Sequence, residues 1–250
     1  MSDDSCRSSP TRIGLPVRWH PEVVQRLPGL TFWFVTIDRV RVASSDARFD
    51  NLEKEVLAEI IRRMTLEQVK NHPVVRRYRD FYWHNLGIDP TKVRPAGEAL
   101  IRRVLQGNQL YRINNVVDAY NLASVRTGLA FGVFDHNVLV PPLEVRFARA
   151  GEPFLGIAKG EPIALTGREL LLTDSRAIVC VHPYRDAERS KVTQQTSRLL
   201  VLTGGVPNLD DVTVEAGLRV AMDHITRVAG GTTDKPFAIR APTERGAAKR

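Results

Sequence analysis

The chain has 250 residues, 43% hydrophobic and 26% charged, ordinary for a globular protein and long enough for one large domain or two small ones. No apolar run reaches the roughly 18–20 residues that span a bilayer. The polar start "MSDDSCRSSPTRIG" has no secretory h-region, and the two cysteines, Cys6 and Cys180, give neither a disulfide framework nor a paired-cysteine metal spacing. A cytoplasmic protein without cofactor or metal is the expectation. The net charge of +8 suits a polyanionic partner. Residues 235–250 hold five basic residues against Glu244, however, so about half of the excess lies in that segment.

In chain order, residues 1–15 are polar and Pro-punctuated and read as a disordered tail. "LTFWFVTIDRVRVA", 30–43, is aromatic and β-branched, hence a strand with a bend at Asp38. Asp50 is expected to cap a helix, with Glu53 as a capping-box partner and Leu52, Val56, Leu57, Ile60, Ile61 and Met64 at helical spacing. Val74, Val75, Tyr78, Phe81 and Tyr82 form a second helical pattern. Pro95 opens a third, "PAGEALIRRVLQG", ending at Gly107. After residue 130 the runs shorten to "VLVPPLEVRFARAG", "RAIVCVH" and "SRLLVLTGG", bounded by Gly and Pro as strands are. A last helix runs from Asp210 or Asp211 to Gly230, and the basic segment 235–250 is expected to be disordered. Helices lead, strands follow and one helix closes, an α+β order with one compact domain over 16–234.

"RINNVVDAYNLASVRTGLAFGVFD", 112–135, carries the most chemistry. At 100° per residue Ile113, Val116, Val117, Tyr120 and Ser124 share a core stripe, and Asn114, Asp118 and Asn121 lie on the stripe beside it. Two readings stand. Asn115 as N-cap with Asp118 as its box partner explains two of the polar residues by capping. Asn121, a poor helix former two turns in, points instead to a pocket wall.

The same segment resembles the "NNVVDxTN…G…FD" signature of the B3/B4 domain, the editing region of the phenylalanyl-tRNA synthetase beta chain. Asn114, Asn115, Val116, Val117, Asp118, Asn121, Gly128, Phe134 and Asp135 keep step with it. "LGIDPTKVRPAGEALIRRVLQG", "VRFARAGEPF" and "YRDAERSKVTQQTSRLLVL" are similar to free-standing members, so the likeness covers about residues 70–230. It implies a mixed sheet or unusual β-sandwich with flanking helices. It also implies hydrolysis of a wrongly attached amino acid from tRNA without aminoacylation. No "GxxxxGKS" loop is present to cradle ATP. The chain departs from the pattern in three places. Tyr120 stands for the family's Thr, Gly132 for the His of "HAFD", and Leu202 or Thr203 for the Glu that reads a tyrosine hydroxyl.

Hydrolysis of an activated ester needs a positioned water more than a strong base. Asn114, Asn115, Asp118, Tyr120 and Asn121 are therefore the expected pocket, with Thr193 and Thr196 of "KVTQQT" opposite as donors. The bland reading of those threonines is solvent-facing strand. "HPYRDAERS" gathers His182, Arg185 and Asp186 at a strand end, as ligand or phosphate contacts or as surface ion pairs. The six histidines never adopt HxH or HExxH spacing, there is no GxSxG elbow, and Cys180 reads as core. In "VVRRYRDFYWHN" the interleaved arginines and aromatics suit nucleic acid, yet the aromatics also follow a core face. The expected function is trans-acting hydrolysis of a mischarged aminoacyl-tRNA or related ester. The alternatives are a noncatalytic module binding tRNA or an amino acid, or a small-molecule enzyme reusing the pocket.

Overall fold

The computed structural model describes residues 15–243. The tail expected over 1–15 thus lies outside the described residues, save for Leu15, which is buried in the core. Strand β1 (Val17–Trp19) and helix α1 (Pro21–Arg26) come first, then the aromatic strand β2 (Thr31–Asp38). It ends where Arg39 takes φ 59°, the bend expected at Asp38.

Helix α2 (Ala47–Arg63) starts earlier than expected, because Asp46 rather than Asp50 caps it by accepting from the Arg48 amide at 2.9 Å. Asp50 and Glu53 instead meet Arg112. Helix α3 (Pro73–Asp80) runs into a π-helical turn, Phe81–Leu86, which places Tyr78, Phe81 and Tyr82 in the core and leaves Trp83 exposed. Helix α4 (Ala96–Leu105) follows Pro95 and stops before Gly107, whose φ is 77°. Its Glu98 is fully buried and pairs with Arg79 and Arg102, tying α3 to α4.

Helix α5 (Asn115–Thr127) is buried on nearly all sides because α2, α4 and α6 pack around it. The strands follow: β3 (Gly132–Asp135), β4 (Leu143–Phe147), β5 (Pro153–Phe154), β6 (Ile163–Ala164), β7 (Leu170–Thr173), β8 (Ile178–His182), β9 (Arg185–Asp186) and β10 (Arg198–Gly204). Helix α6 (Asp211–Ala229) is capped by Asp210, and β11 (Thr232–Thr233) and β12 (Phe237–Arg240) end the described chain.

Two sheets result, with a small β5–β6 hairpin apart. The first has the order β1-β4-β7-β8-β9, parallel at β1–β4 and antiparallel elsewhere, so it is a mixed sheet. The second has the order β11-β2-β10-β3 and is antiparallel, with β12 also on β2. The fold is therefore α+β with flanking helices. The disordered tail expected over 235–250 needs correcting for its described part. Phe237 and Ile239 face inward, and β11 and β12 cover the edge of β2 that β10 leaves open, pairing groups that water would otherwise hold. Residues 244–250 lie outside the described residues. Among the described residues no helix is long and apolar enough to cross a membrane.

Strand β3 is one edge of the second sheet and β9 one edge of the first, and these two edges approach each other below α5. Two short edge strands do not form a continuous ladder, and the space between them is not filled by side chains. A cavity follows from that mismatch.

Candidate functional site

The cavity has a volume of about 230 Å³. Val117, Phe131, Val181 and Val192 give it apolar walls. Polar groups reach it from three sides: Tyr120 and Asn121 from α5, Asp186 and Arg185 from β9, and Lys191 from the loop beyond.

Only two of the five expected residues on the central helix face this space. Asn114, not Asn115, is the N-cap, and its Oδ1 accepts from the Val117 amide at 2.9 Å. Asn115 is buried one position later. Its Nδ2 donates to the carbonyls of Arg41 (3.0 Å) and Val228 (3.1 Å), and its Oδ1 accepts from the Ala43 amide at 3.0 Å. It joins α5 to the segment after β2 and to α6. Asp118 accepts from the Ile113 amide at 2.9 Å and from the Ser45 hydroxyl at 2.5 Å. Asn114, Asn115 and Asp118, expected in the pocket, lie outside the cavity lining: backbone groups, most of them distant in sequence for Asn115, and the Ser45 hydroxyl take their hydrogen bonds. Tyr120 and Asn121 line the cavity, and neither side chain has a hydrogen-bond partner among the described residues. Burial raises the Tyr120 pKa, so its phenol stays protonated.

Thr193 and Thr196 do not stand opposite the helix. They form a turn in which Thr196 Oγ1 accepts from the Thr193 amide (3.0 Å) and donates to Asp135 (2.7 Å). The Thr193 hydroxyl accepts from the Gln195 amide. That turn is anchored to the "FD" end of the motif, outside the cavity lining.

His182, Arg185 and Asp186 come together at the cavity, though not as a phosphate cradle. His182 Nε2 lies 2.9 Å from the Gly204 carbonyl, so that nitrogen carries the proton, and burial drops the ring's pKa to about 3. The imidazole is neutral and packs edge-on against Phe32, 4.8 Å between centroids. Arg185 Nη1 donates to the Ile157 carbonyl at 2.9 Å, and Lys191 pairs with Glu188. Asp186 is different. Burial pushes its carboxyl up to about 7, against the pull of the Val133 amide and the nearby Arg185 charge.

Cys180 also lines the cavity. It lies two residues before His182 on β8, a position that the sequence reads as core. Burial raises its pKa well above the usual thiol range, which leaves a protonated thiol rather than a nucleophile. Gly132 opens the cavity beside Asp186: a Cβ there would stand 2.6 Å from the Phe134 ring and 3.4 Å from Asp186 Oδ1. Leu202, which pairs with Gly132 across β10, and Thr203, which donates to the Ala130 carbonyl at 2.9 Å, lie outside the lining. Among the described residues no group of three or more His, Cys, Asp or Glu is placed to hold a metal ion.

A model of the B3/4 domain family matches residues 77–220, more than half of the chain and the whole of the cavity's helix and strands. The chain belongs to the B3/4 domain family. Among solved structures it is similar to an N-terminal fragment of the phenylalanyl-tRNA synthetase beta-subunit from Pyrococcus horikoshii, with 15% identity and a TM-score of 0.47. That similarity covers 97% of this chain and 57% of the fragment, so the chain spans little more than half of the fragment's length. Comparison with curated proteins gives no significant match. Within this B3/4 domain the family motif thus divides in two: Asn114, Asn115, Asp118 and Asp135 build the frame, and Tyr120, Asn121 and Gly132 border the cavity.

Proposed function

We propose that this B3/4-domain protein hydrolyses an aminoacyl ester, with a mischarged aminoacyl-tRNA as the substrate acted on in trans. The observation that carries the reading is the cavity under α5, amino-acid sized, apolar-walled and bordered by the open Tyr120 hydroxyl and Asn121 amide. An aminoacyl ester is already activated, so a water held by such groups beside the acyl carbon is enough to attack it. Membership of the B3/4 domain family supports the same reading. The surface is compatible with it. Arg76, Arg77 and Arg94 are exposed and in no ion pair among the described residues, and Arg94 lies two residues from Ala96 at the cavity wall. Nearby, Arg103 stacks on the exposed Tyr111 ring at 4.1 Å, a pairing that also suits a nucleotide end.

The test is incubation of the purified protein with a panel of mischarged tRNAs, reading ester loss. Turnover of at least one pair above the buffer rate is expected, and no deacylation of any pair would overturn the reading. A second reading is a binding module for an aminoacyl group without turnover. It is favoured by the small number of free polar groups, since five of the expected ones are consumed by the frame. It predicts ligand-dependent protection against thermal unfolding with no product formed.

A further inference from the structure

The cavity's polar groups are not equally available. His182 and Lys191 are committed to the Gly204 carbonyl and Glu188, and Arg185 gives Nη1 to the Ile157 carbonyl while its buried Nε has no partner among the described residues. Tyr120 and Asn121 are open but neutral at physiological pH. Asp186 is the one group at the cavity that brings a negative charge, and among the described residues no cation forms an ion pair with it. Its neighbour Arg185 turns toward the Ile157 carbonyl, with Gly156 leaving room: a Cβ at Gly156 would stand 2.3 Å from Arg185 Cδ. The groups that face Asp186 from other elements, the Tyr120 phenol of α5 and the Cys180 thiol of β8, are protonated and supply no positive charge. Lys191, across the cavity, is neutralised by Glu188.

A carboxylate half-withdrawn from water, with a cation nearby but none in an ion pair with it, is costly to a fold unless something arrives to pair with it. A phosphate or carboxylate on the ligand would meet like charge here. An ammonium would meet its complement, with apolar walls strengthening the attraction. Gly132 keeps the approach to Asp186 Oδ1 clear, where any side chain would crowd it.

We infer that Asp186 is the residue that selects the ligand's α-ammonium group, so that the cavity takes α-amino esters and amides in preference to their deamino counterparts. This rests on the aminoacyl-ester reading above and names which end of the acyl group the cavity recognises. Asp186 is the acceptor, and Tyr120 and Asn121 are left to the ester and the attacking water. Because burial sets the carboxyl near pH 7, affinity for the ammonium rises as pH climbs toward 7 and the carboxyl ionises, and falls again as the ligand's α-ammonium loses its proton at about pH 8.

The full chain is titrated with a panel of L-amino-acid amides and, for each, the amide of the same skeleton without the amino group, at neutral pH. At least one amino amide is expected to bind about thirtyfold tighter than its deamino partner, the loss typical of removing one charge-assisted pair. Asp186→Asn is expected to erase that ratio. Equal binding of the two members of every binding pair by the unmodified protein overturns the inference, and this arm needs no variant to fold. So does an Asp186→Asn protein that keeps the full ratio. If no amide binds, the comparison passes to deacylation of a mischarged tRNA: kcat/KM lowered about thirtyfold in Asp186→Asn supports the inference, and an unchanged kcat/KM overturns it while the hydrolase reading stands. Neither binding nor deacylation by the unmodified protein removes both.

Discussion

Asn115 and Asn121 sit on the same helix in the same family motif, and their surroundings predict opposite consequences of the same substitution. Asn115 serves two carbonyls and the amides of Ala43 and Val116 inside the core. Asn115→Ala strands those buried groups and is expected to cost about 3 kcal/mol, seen in urea unfolding as a lowered midpoint with an unchanged m-value. The Asn121 side chain makes no hydrogen bond among the described residues and faces the cavity. Asn121→Ala is expected to leave stability within about 0.5 kcal/mol, since Ala is also the better helix former, while ester hydrolysis falls roughly 10–100-fold. Equal destabilisation by both variants would return Asn121 to a structural role. The sequence could separate the two only partly. The 100° periodicity isolates Asn121 as unexplained by capping, but Asn114 and Asn115 differ by a single step in phase, and which of them caps depends on how the chain enters α5 from the loop after α4. That entry is a tertiary fact. The same holds for Thr196, whose hydroxyl is claimed by Asp135, 61 positions earlier in the chain.

Helix ends were the most legible elements because their signals are local. Pro95 before α4, Gly107 after it and Asp210 before α6 each act through the backbone of their own turn. The start of α2 was misplaced because Asp46 and Asp50 are equally good caps by type, and the pairing of Asp50 with Arg112 came from a distant segment. How helices cross was not legible at all. Gly97 in the first turn of α4 lies against the C-cap of α5, where a Cβ would fall 2.5 Å from the Gly128 carbonyl oxygen. A backbone atom cannot rotate away. Gly97→Ala is therefore expected to push α4 off α5 and cost about 2–3 kcal/mol. Gly107→Ala is the control: its site is open space, and the only cost is the left-handed backbone at φ 77°, about 1 kcal/mol. Thermal melts of the two variants should rank in that order, and the reverse ranking would mean that the α4–α5 contact yields freely. A shift of α4 also moves Ala96, so Gly97→Ala should weaken ligand binding where Gly107→Ala does not.

At the scale of the whole molecule, the meeting of two sheet edges puts groups of opposite titration behaviour against one cavity. His182, at the end of β8, is held neutral with its pKa lowered to about 3, and His224, buried on α6, to about 4, both chiefly by burial. Their unfolded counterparts take a proton below about 6.5. The unfolded chain therefore binds more protons as pH falls from 6.5 toward 4, and each histidine draws stability down over that window. Asp186 runs the other way. Its folded pKa of about 7 stands above the ordinary 3.8, so between those values the folded state binds the extra proton. Its contribution to stability is full below 3.8 and is lost as pH rises through 7. In the unmodified protein the Asp186 term offsets one of the two histidines between pH 4 and 6.5, which leaves a shallow acid loss. Asp186→Asn removes the offset and should steepen that loss, while raising stability near pH 7.5, where the ionised carboxylate is most costly. His182→Phe keeps the packing against Phe32 and removes one acid-sensitive term. It should lower stability by a constant amount, because the Gly204 carbonyl loses its donor, yet flatten the pH profile. Urea-unfolding free energies from about pH 4.5 to 7.5 for the three proteins would read these slopes directly. An Asp186→Asn profile parallel to that of the unmodified protein would mean that the carboxyl titrates as an ordinary solvated aspartate, already ionised well below neutral pH, and would remove the rise in ammonium affinity toward pH 7.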